Sequence, residues 1–232
     1  MNQLLTTLMA LVVASATGFA HAQAASAPGA AAAPAAAASA SPAALQAKIA
    51  MCLGCHNIPG YQASFPEVHK VPMIAGQGAA YIEAALAAYK TGERRHPTMR
   101  SIAESLSEQD MKDVAAYYAG LGTNEPVAEK PSREPSPQVA ALLQKAACVS
   151  CHGANFSKPI APNYPKIAGQ HKDYLFVALK SYKADPSGLV GRGNAIMGGI
   201  AKQFSNAELR AMADYIGSLQ GELETVPESR FK

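Results

Sequence analysis

The chain has 232 residues, enough for one large domain or two small ones. Hydrophobic residues make up 49% of it, but alanine supplies much of that share and buries little surface per residue, so small cores are expected and a bulky cofactor would help to fill them. A net charge of +3 excludes the strongly basic balance of a nucleic-acid-binding protein.

In chain order, Leu4 to Phe19 is mostly apolar and uncharged, and Ala20-His21-Ala22 puts small residues where a signal peptidase reads. Residues 1–22 are therefore expected to be an export signal. A retained membrane anchor is the alternative, although the run is shorter than the ~20 residues a spanning helix needs. Residues 23–40 are nearly all Ala, Pro, Ser and Gly, and read as a tether.

Two domains that repeat one another are expected at 41–121 and 136–221. Ser41-Pro42 and Ser136-Pro137 each predict a helix start, with Ser as the cap and Pro in the first turn, and each helix is expected to run into Cys-x-x-Cys-His. Val71-Pro72-Met73-Ile74-Ala75-Gly76-Gln77 answers to Tyr164-Pro165-Lys166-Ile167-Ala168-Gly169-Gln170. Both runs lead into a helix in which Tyr81, Leu86, Tyr89 and Lys90 match Tyr174, Leu179, Tyr182 and Lys183. Ser107 with Asp110, and Ser205 with Glu208, predict a closing helix in each half. Met111, Val114, Ala115 and Tyr118 share one face of the first, and Leu209, Met212, Ala213, Ile216 and Leu219 one face of the second. Residues 122–135, with Pro126, Pro131 and Pro135, read as a linker, and 222–232 as a C-terminal tail. No alternating run of strand length competes, so the expected class is all-α.

All four cysteines fall in Cys52-Leu53-Gly54-Cys55-His56 and Cys148-Val149-Ser150-Cys151-His152. On a helical turn the two thiols and the imidazole share a face, a geometry that bonds both vinyl groups of one porphyrin edge and puts the imidazole beneath the iron. Two covalently bound haem c groups are expected, with Cys52, Cys55, Cys148 and Cys151 as thioethers and His56 and His152 as proximal ligands. Disulfides, a thioredoxin-like dithiol and a zinc site are the other readings; none explains a His after both pairs in register with a repeat.

The distal ligand decides the function, because a second protein ligand closes the iron to substrates and favours electron transfer. Met99 and Met197 each lie eight residues before the serine of the closing helix, 43 residues after His56 and 45 after His152. They are the expected axial partners. Met73 is the rival in the first half, but Lys166 answers to it in the second. Met51, Met111 and Met212 are expected to fill core space. His69, His96 and His171 are expected at the surface, with His96 a lesser alternative ligand. The carbonyls of Pro72 and Pro165 are candidate partners for the other nitrogen of each proximal imidazole.

Together the two Cys-x-x-Cys-His motifs, the doubled Pro-x-Ile-Ala-Gly-Gln, and Met99 and Met197 ahead of serine-capped helices resemble the two-haem class I cytochromes c of the c4 type, over about residues 41 to 220. The resemblance implies an all-α protein of two tandem class I cytochrome c domains related by internal duplication, with haems facing each other near the interface. It implies an electron carrier without substrate chemistry of its own, located in the periplasm or peripherally associated with the inner membrane. Its partners would be an upstream donor and a terminal oxidase or another acceptor. A cytochrome subunit of a periplasmic dehydrogenase complex is the second reading; a two-haem peroxidase, which needs an openable iron position, is the third. Three departures stand out: Asn57 against Gly153, Met73 against Lys166, and extra residues around Asp185 to Gly193, whose glycines predict a mobile loop.

Residues 44–122 hold seven basic and seven acidic side chains, and 138–232 hold eleven and seven, so the positive excess lies in the second half. Four ionised haem propionates would cancel it, which leaves no call for a nucleic-acid partner. Lys158, Lys166, Lys172, Lys180 and Lys183 read either as ordinary solvated surface or as steering charges for an acidic redox partner.

Overall fold

Ser41 and Ser136 start the first helix of each half where the sequence predicts. The computed structural model describes residues 41–122, 127–184 and 188–228. The predicted signal and tether, residues 123–126 of the linker, 185–187 of the predicted loop and the last four residues of the tail lie outside the described residues. Helix α1 spans Pro42–His56, and the Ser41 hydroxyl accepts from the Ala44 amide at 3.3 Å. Its counterpart is not continuous. Helix α5, Pro137–Ala146, ends where Ala147 turns left-handed at φ 50, and a separate turn α6, Val149–His152, carries the second Cys-His pair. The break has a Schellman-type closure: the Cys148 amide reaches back to the Leu143 carbonyl at 3.4 Å and the Ala147 amide to Gln144 at 3.1 Å.

The middle helices are α2, Ala79–Thr91, and α7, Lys172–Ser181. The closing helices are α4, Glu108–Gly120, and α9, Asn206–Gly217, and both begin with the predicted reciprocal box, Ser107 with Asp110 and Ser205 with Glu208. Every residue of the two predicted apolar faces is buried. In the first half α2 packs on α4, with Ile49 and Leu86 joining Met111, Val114 and Tyr118; in the second α7 packs on α9, with Leu143 and Phe176 joining Leu209, Met212 and Ile216. Two short helices were not legible in the sequence: α3, Pro97–Glu104, and α8, Ala195–Ala201.

Strand content is limited to two-residue pairs among the described residues. β1, Gln62–Ala63, pairs antiparallel with β2, His69–Lys70, within the first half. β3, Arg94–Arg95, pairs with β4, Gly191–Arg192, and so joins the halves, which pack as one compact unit. Each half also wears the segment that follows the other's closing helix. The tail crosses the first half, where the Glu224 amide donates to the Ala75 carbonyl at 3.1 Å and Asn57 Nδ2 to the Val226 carbonyl at 2.6 Å. The linker crosses the second, where Asn155 Nδ2 donates to the Ala128 carbonyl at 2.7 Å and the Tyr215 hydroxyl to the Arg133 carbonyl at 2.9 Å. Among the described residues no helix is long and apolar enough to cross a membrane.

Candidate haem sites

Both proximal histidines are fixed through Nδ1. That of His56 lies 2.8 Å from the Pro72 carbonyl, and that of His152 lies 3.0 Å from the Pro165 carbonyl. A carbonyl only accepts, so Nδ1 carries the proton in each and Nε2 keeps its lone pair for a metal. Burial pulls both imidazoles below the ordinary histidine range, against the opposing effect of the carbonyls, which keeps them neutral. The four cysteines are unpaired and half-buried; burial pushes the Cys52 and Cys148 thiols up to about 11. The disulfide reading therefore has no pair to rest on. The zinc reading has no site either, since no group of three His, Cys, Asp or Glu able to hold a metal exists among the described residues.

Met99 and Met197 occupy the same place in α3 and α8, the third position of a short helix whose cap binds the methionine amide. His96 Nδ1 accepts from Met99 N at 3.5 Å, and Asn194 Oδ1 accepts from Met197 N at 3.0 Å. Both methionines, both Cys-x-x-Cys-His motifs and Met73 line one cavity of about 600 Å³. Met73 is held through its backbone: its amide donates to Gln170 Oε1 at 3.0 Å and its carbonyl accepts from Gln170 Nε2 at 2.8 Å. Gln77 makes the same two bonds to Lys166, each at 2.9 Å. The repeated glutamines thus cross between the halves, each clasping the other's residue after proline.

Several expectations change. His69 is not a surface residue but 5% exposed, because its Nδ1 donates to the Glu67 carbonyl at 2.8 Å while its ring stacks on Tyr174 at 6.2 Å. His96 is half-buried with both ring nitrogens engaged, one capping α3 and the other donating to the Phe65 carbonyl at 3.3 Å, which removes it as a ligand candidate. His171 is half-buried as the cap residue of α7. Met111 and Met212 fill the cores at 3% exposure, whereas Met51 is 37% exposed beside the Ser105 hydroxyl. Within the predicted mobile loop, Gly191 and Arg192 form β4 and are held against β3. A Cβ on Gly191 would lie 2.2 Å from the end of the Arg95 side chain.

Of the five lysines considered for steering, four are engaged internally. Lys166 pairs with Glu222 at 2.5 Å, Lys180 with Glu67 at 2.6 Å and Lys158 with Glu129, and Lys183 Nζ donates to the Phe204 carbonyl at 2.8 Å. Lys90, the repeat counterpart of Lys183, makes the equivalent bond to the Leu106 carbonyl at 2.5 Å.

The residues that sequence reasoning passed over are Arg94 and Arg192. The signal was available: each lies five residues before its methionine. They are partners across β3 and β4, and both line the cavity. Arg94 donates to the hydroxyls of Tyr81 at 3.2 Å and Tyr174 at 3.4 Å; Arg192 donates to those of Tyr174 at 2.9 Å and Tyr182 at 3.5 Å. Arg94 also lies over the Tyr89 ring at 4.6 Å and Arg192 over the Tyr182 ring at 5.4 Å. Burial pushes the Tyr174 hydroxyl up, but the two guanidiniums outweigh it and bring it down to about 8. The buried Arg94 Nε has no partner among the described residues. An apolar cavity with paired thiols, a metal-ready imidazole and a thioether from each half, and cations short of anions, fits two haems carrying carboxylates.

A family model described as cytochrome c matches residues 138–220. The cytochrome c4 of Pseudomonas aeruginosa is 29% identical over 94% of this chain and 100% of its own length. That of Thiocapsa roseopersicina is 30% identical over 77% of this chain and 92% of its own. The chain belongs to the cytochrome c4 family. The solved cytochrome c4 of Acidithiobacillus ferrooxidans is 26% identical and superposes with a TM-score of 0.54, covering 74% of this chain and 99% of that one. A thiosulfate dehydrogenase electron acceptor of Stutzerimonas stutzeri is 30% identical over 75% of this chain and 81% of its own. As a member of the cytochrome c4 family the protein is an all-α electron-transfer cytochrome of two class I domains, and its cofactors are two haem c groups.

Proposed function

We propose that this cytochrome c4 shuttles electrons in the periplasm between an upstream donor and a terminal oxidase or another acceptor, with both irons closed to substrates. In this reading Cys52 and Cys55 would hold one haem by thioethers and Cys148 and Cys151 the other, with His56 and Met99, and His152 and Met197, as the residues that would bind the irons. The domains follow the repeat, at 41–121 and 136–221, behind a signal peptide at 1–22. The observation that carries the reading is the matched placing of Met99 and Met197 on capped short helices that face the same cavity as the two Nδ1-anchored histidines.

Bound haem would supply a one-electron iron couple, whose potential ligation by methionine together with histidine would raise. The chain's own residues do the rest. The Pro72 and Pro165 carbonyls orient the imidazoles and hold their Nδ1 protons. His96 and Asn194 fix the amides of the methionines, which anchors the backbone that presents each thioether. The apolar walls, among them Ile82, Leu86, Leu175 and Leu179, would limit the access of water to a bound haem. The test is a count of covalent haem by absorption in pyridine, with the red thioether-to-iron band followed in Met99→Ala and Met197→Ala. Two haems, and part of the band lost in each variant, are expected; an unchanged band in either removes that ligand.

The similarity to a thiosulfate dehydrogenase electron acceptor favours a second reading, in which the same carrier is docked on a dehydrogenase. Copurification with a catalytic subunit from the native host would establish it; a cytochrome that elutes alone would favour the free shuttle.

A further inference from the structure

We propose that Gln170 and Gln77 are positioning residues for the proximal imidazole of the opposite domain, each acting on it through a single peptide group. The inference rests on the haem assignments above. The peptide that joins Pro72 to Met73 is bonded at both ends: its oxygen accepts from His56 Nδ1 at 2.8 Å, and its N–H donates to Gln170 Oε1 at 3.0 Å. The peptide that joins Pro165 to Lys166 is bonded alike, to His152 Nδ1 at 3.0 Å and to Gln77 Oε1 at 2.9 Å. Each chain of bonds thus runs from a side chain of one domain to an imidazole of the other. Both glutamines are buried at 4% exposure, and their partners fix which way each amide points. Oε1 also accepts from the next backbone N–H, that of His171 or Gly78, at 3.0 Å, while Nε2 donates to the Met73 carbonyl at 2.8 Å or the Lys166 carbonyl at 2.9 Å. A peptide group is a resonant unit, so an acceptor on its N–H makes its oxygen more negative, and bonds in such a chain strengthen one another where water is excluded. The more negative oxygen draws on the Nδ1 proton and raises the basicity of Nε2, the nitrogen left for a metal. The doubled Pro-x-Ile-Ala-Gly-Gln then has a chemical reason: proline supplies a carbonyl to its own histidine, the next residue supplies an N–H, and glutamine serves the other domain. Only main chain is used at the middle position, so Met73 and Lys166 can stand there equally.

A glutamine that merely packed its own domain would disturb the site it belongs to, whereas the crossed chain disturbs the other one. In nuclear magnetic resonance of the reduced full-length holoprotein with isotope-labelled histidine, Gln170→Leu is expected to move the Nδ1 proton of His56 upfield and leave that of His152 in place. Gln77→Leu should do the reverse. In a redox titration, Gln170→Leu should raise the reduction equilibrium constant of the haem on Cys52 and Cys55 about threefold and leave that on Cys148 and Cys151 unchanged. Gln170→Glu keeps an oxygen for the Met73 N–H, so it should hold the His56 proton at or downfield of its native position; this arm stands even where the leucine variant fails to fold. Changes confined to the glutamine's own domain, equal changes in both, no change in either, or an upfield move in the glutamate variant would overturn the proposal. The haem count and thioether bands of the unaltered protein report separately on the haem assignments, so their failure is distinguishable.

Discussion

The Pro72 and Pro165 carbonyls decide which nitrogen of each imidazole is free, and the caps of α3 and α8 decide where each methionine amide sits. Asn194→Ala should therefore loosen Met197 while leaving its sulfur in the chain, costing about 1 kcal/mol of helix stability. The expected readout is a thioether band from the second domain that melts at lower temperature than that of the first. At the start of α4, the Ser107 amide and hydroxyl, with Lys48 at 3.1 Å, hold the Asp110 carboxyl below its ordinary range. A depressed carboxylate contributes stability above its unfolded value and loses it as pH falls through the folded one. Asp110→Asn should thus destabilise the protein at neutral pH, with the difference shrinking below about pH 4 in paired thermal melts. At this scale much was readable in advance. The Cys-x-x-Cys-His motifs and the methionine spacing are local patterns, whereas His69 was misjudged because its burial comes from a partner 105 positions along the chain, Tyr174.

Among elements, the capped closing helices followed directly from serine, acid and apolar spacing. The short helices α3 and α8 did not, because seven or eight residues carry too little periodicity to stand out. The break between α5 and α6 was likewise hidden, since an alanine in the left-handed region has no compositional mark. The crossing tail was read as a mere tail because Glu224 and Val226 engage the first half through their own backbone groups, which carry no mark in the sequence. It makes firm demands nonetheless: Gly76 has φ 80, and a Cβ there would lie 2.2 Å from the Glu222 carbonyl oxygen. Gly76→Ala should cost about 1–3 kcal/mol, seen as a lower denaturant midpoint. Asn57 is buried between the Tyr118 hydroxyl, which donates to it at 2.8 Å, and the Val226 carbonyl. Asn57→Ala should cost a similar 1–3 kcal/mol, about that of leaving a buried polar partner unmade, and should raise the protease sensitivity of the tail.

Across the whole molecule, the halves are joined by the glutamine clasps, the β3–β4 pair, the crossed segments and the ion pair of Lys180 with Glu67, while Lys166 with Glu222 ties the second domain to its tail. The repeat made the duplication plain, but a repeat aligns equivalent residues and does not say which of them meet across an interface. Lys158, Lys166, Lys180 and Lys183 are each tied to a partner within the chain, which holds them back from a docking protein. Electron transfer to an acidic partner should therefore change less than about tenfold between low and physiological ionic strength in stopped-flow measurements. The central claim is that both irons are closed by protein ligands. Low-temperature electron paramagnetic resonance of the resting oxidised holoprotein, integrated against total haem, tests it most directly. Two low-spin, six-coordinate irons per chain are predicted; a high-spin, five-coordinate iron at either site would contradict the claim and favour a haem enzyme.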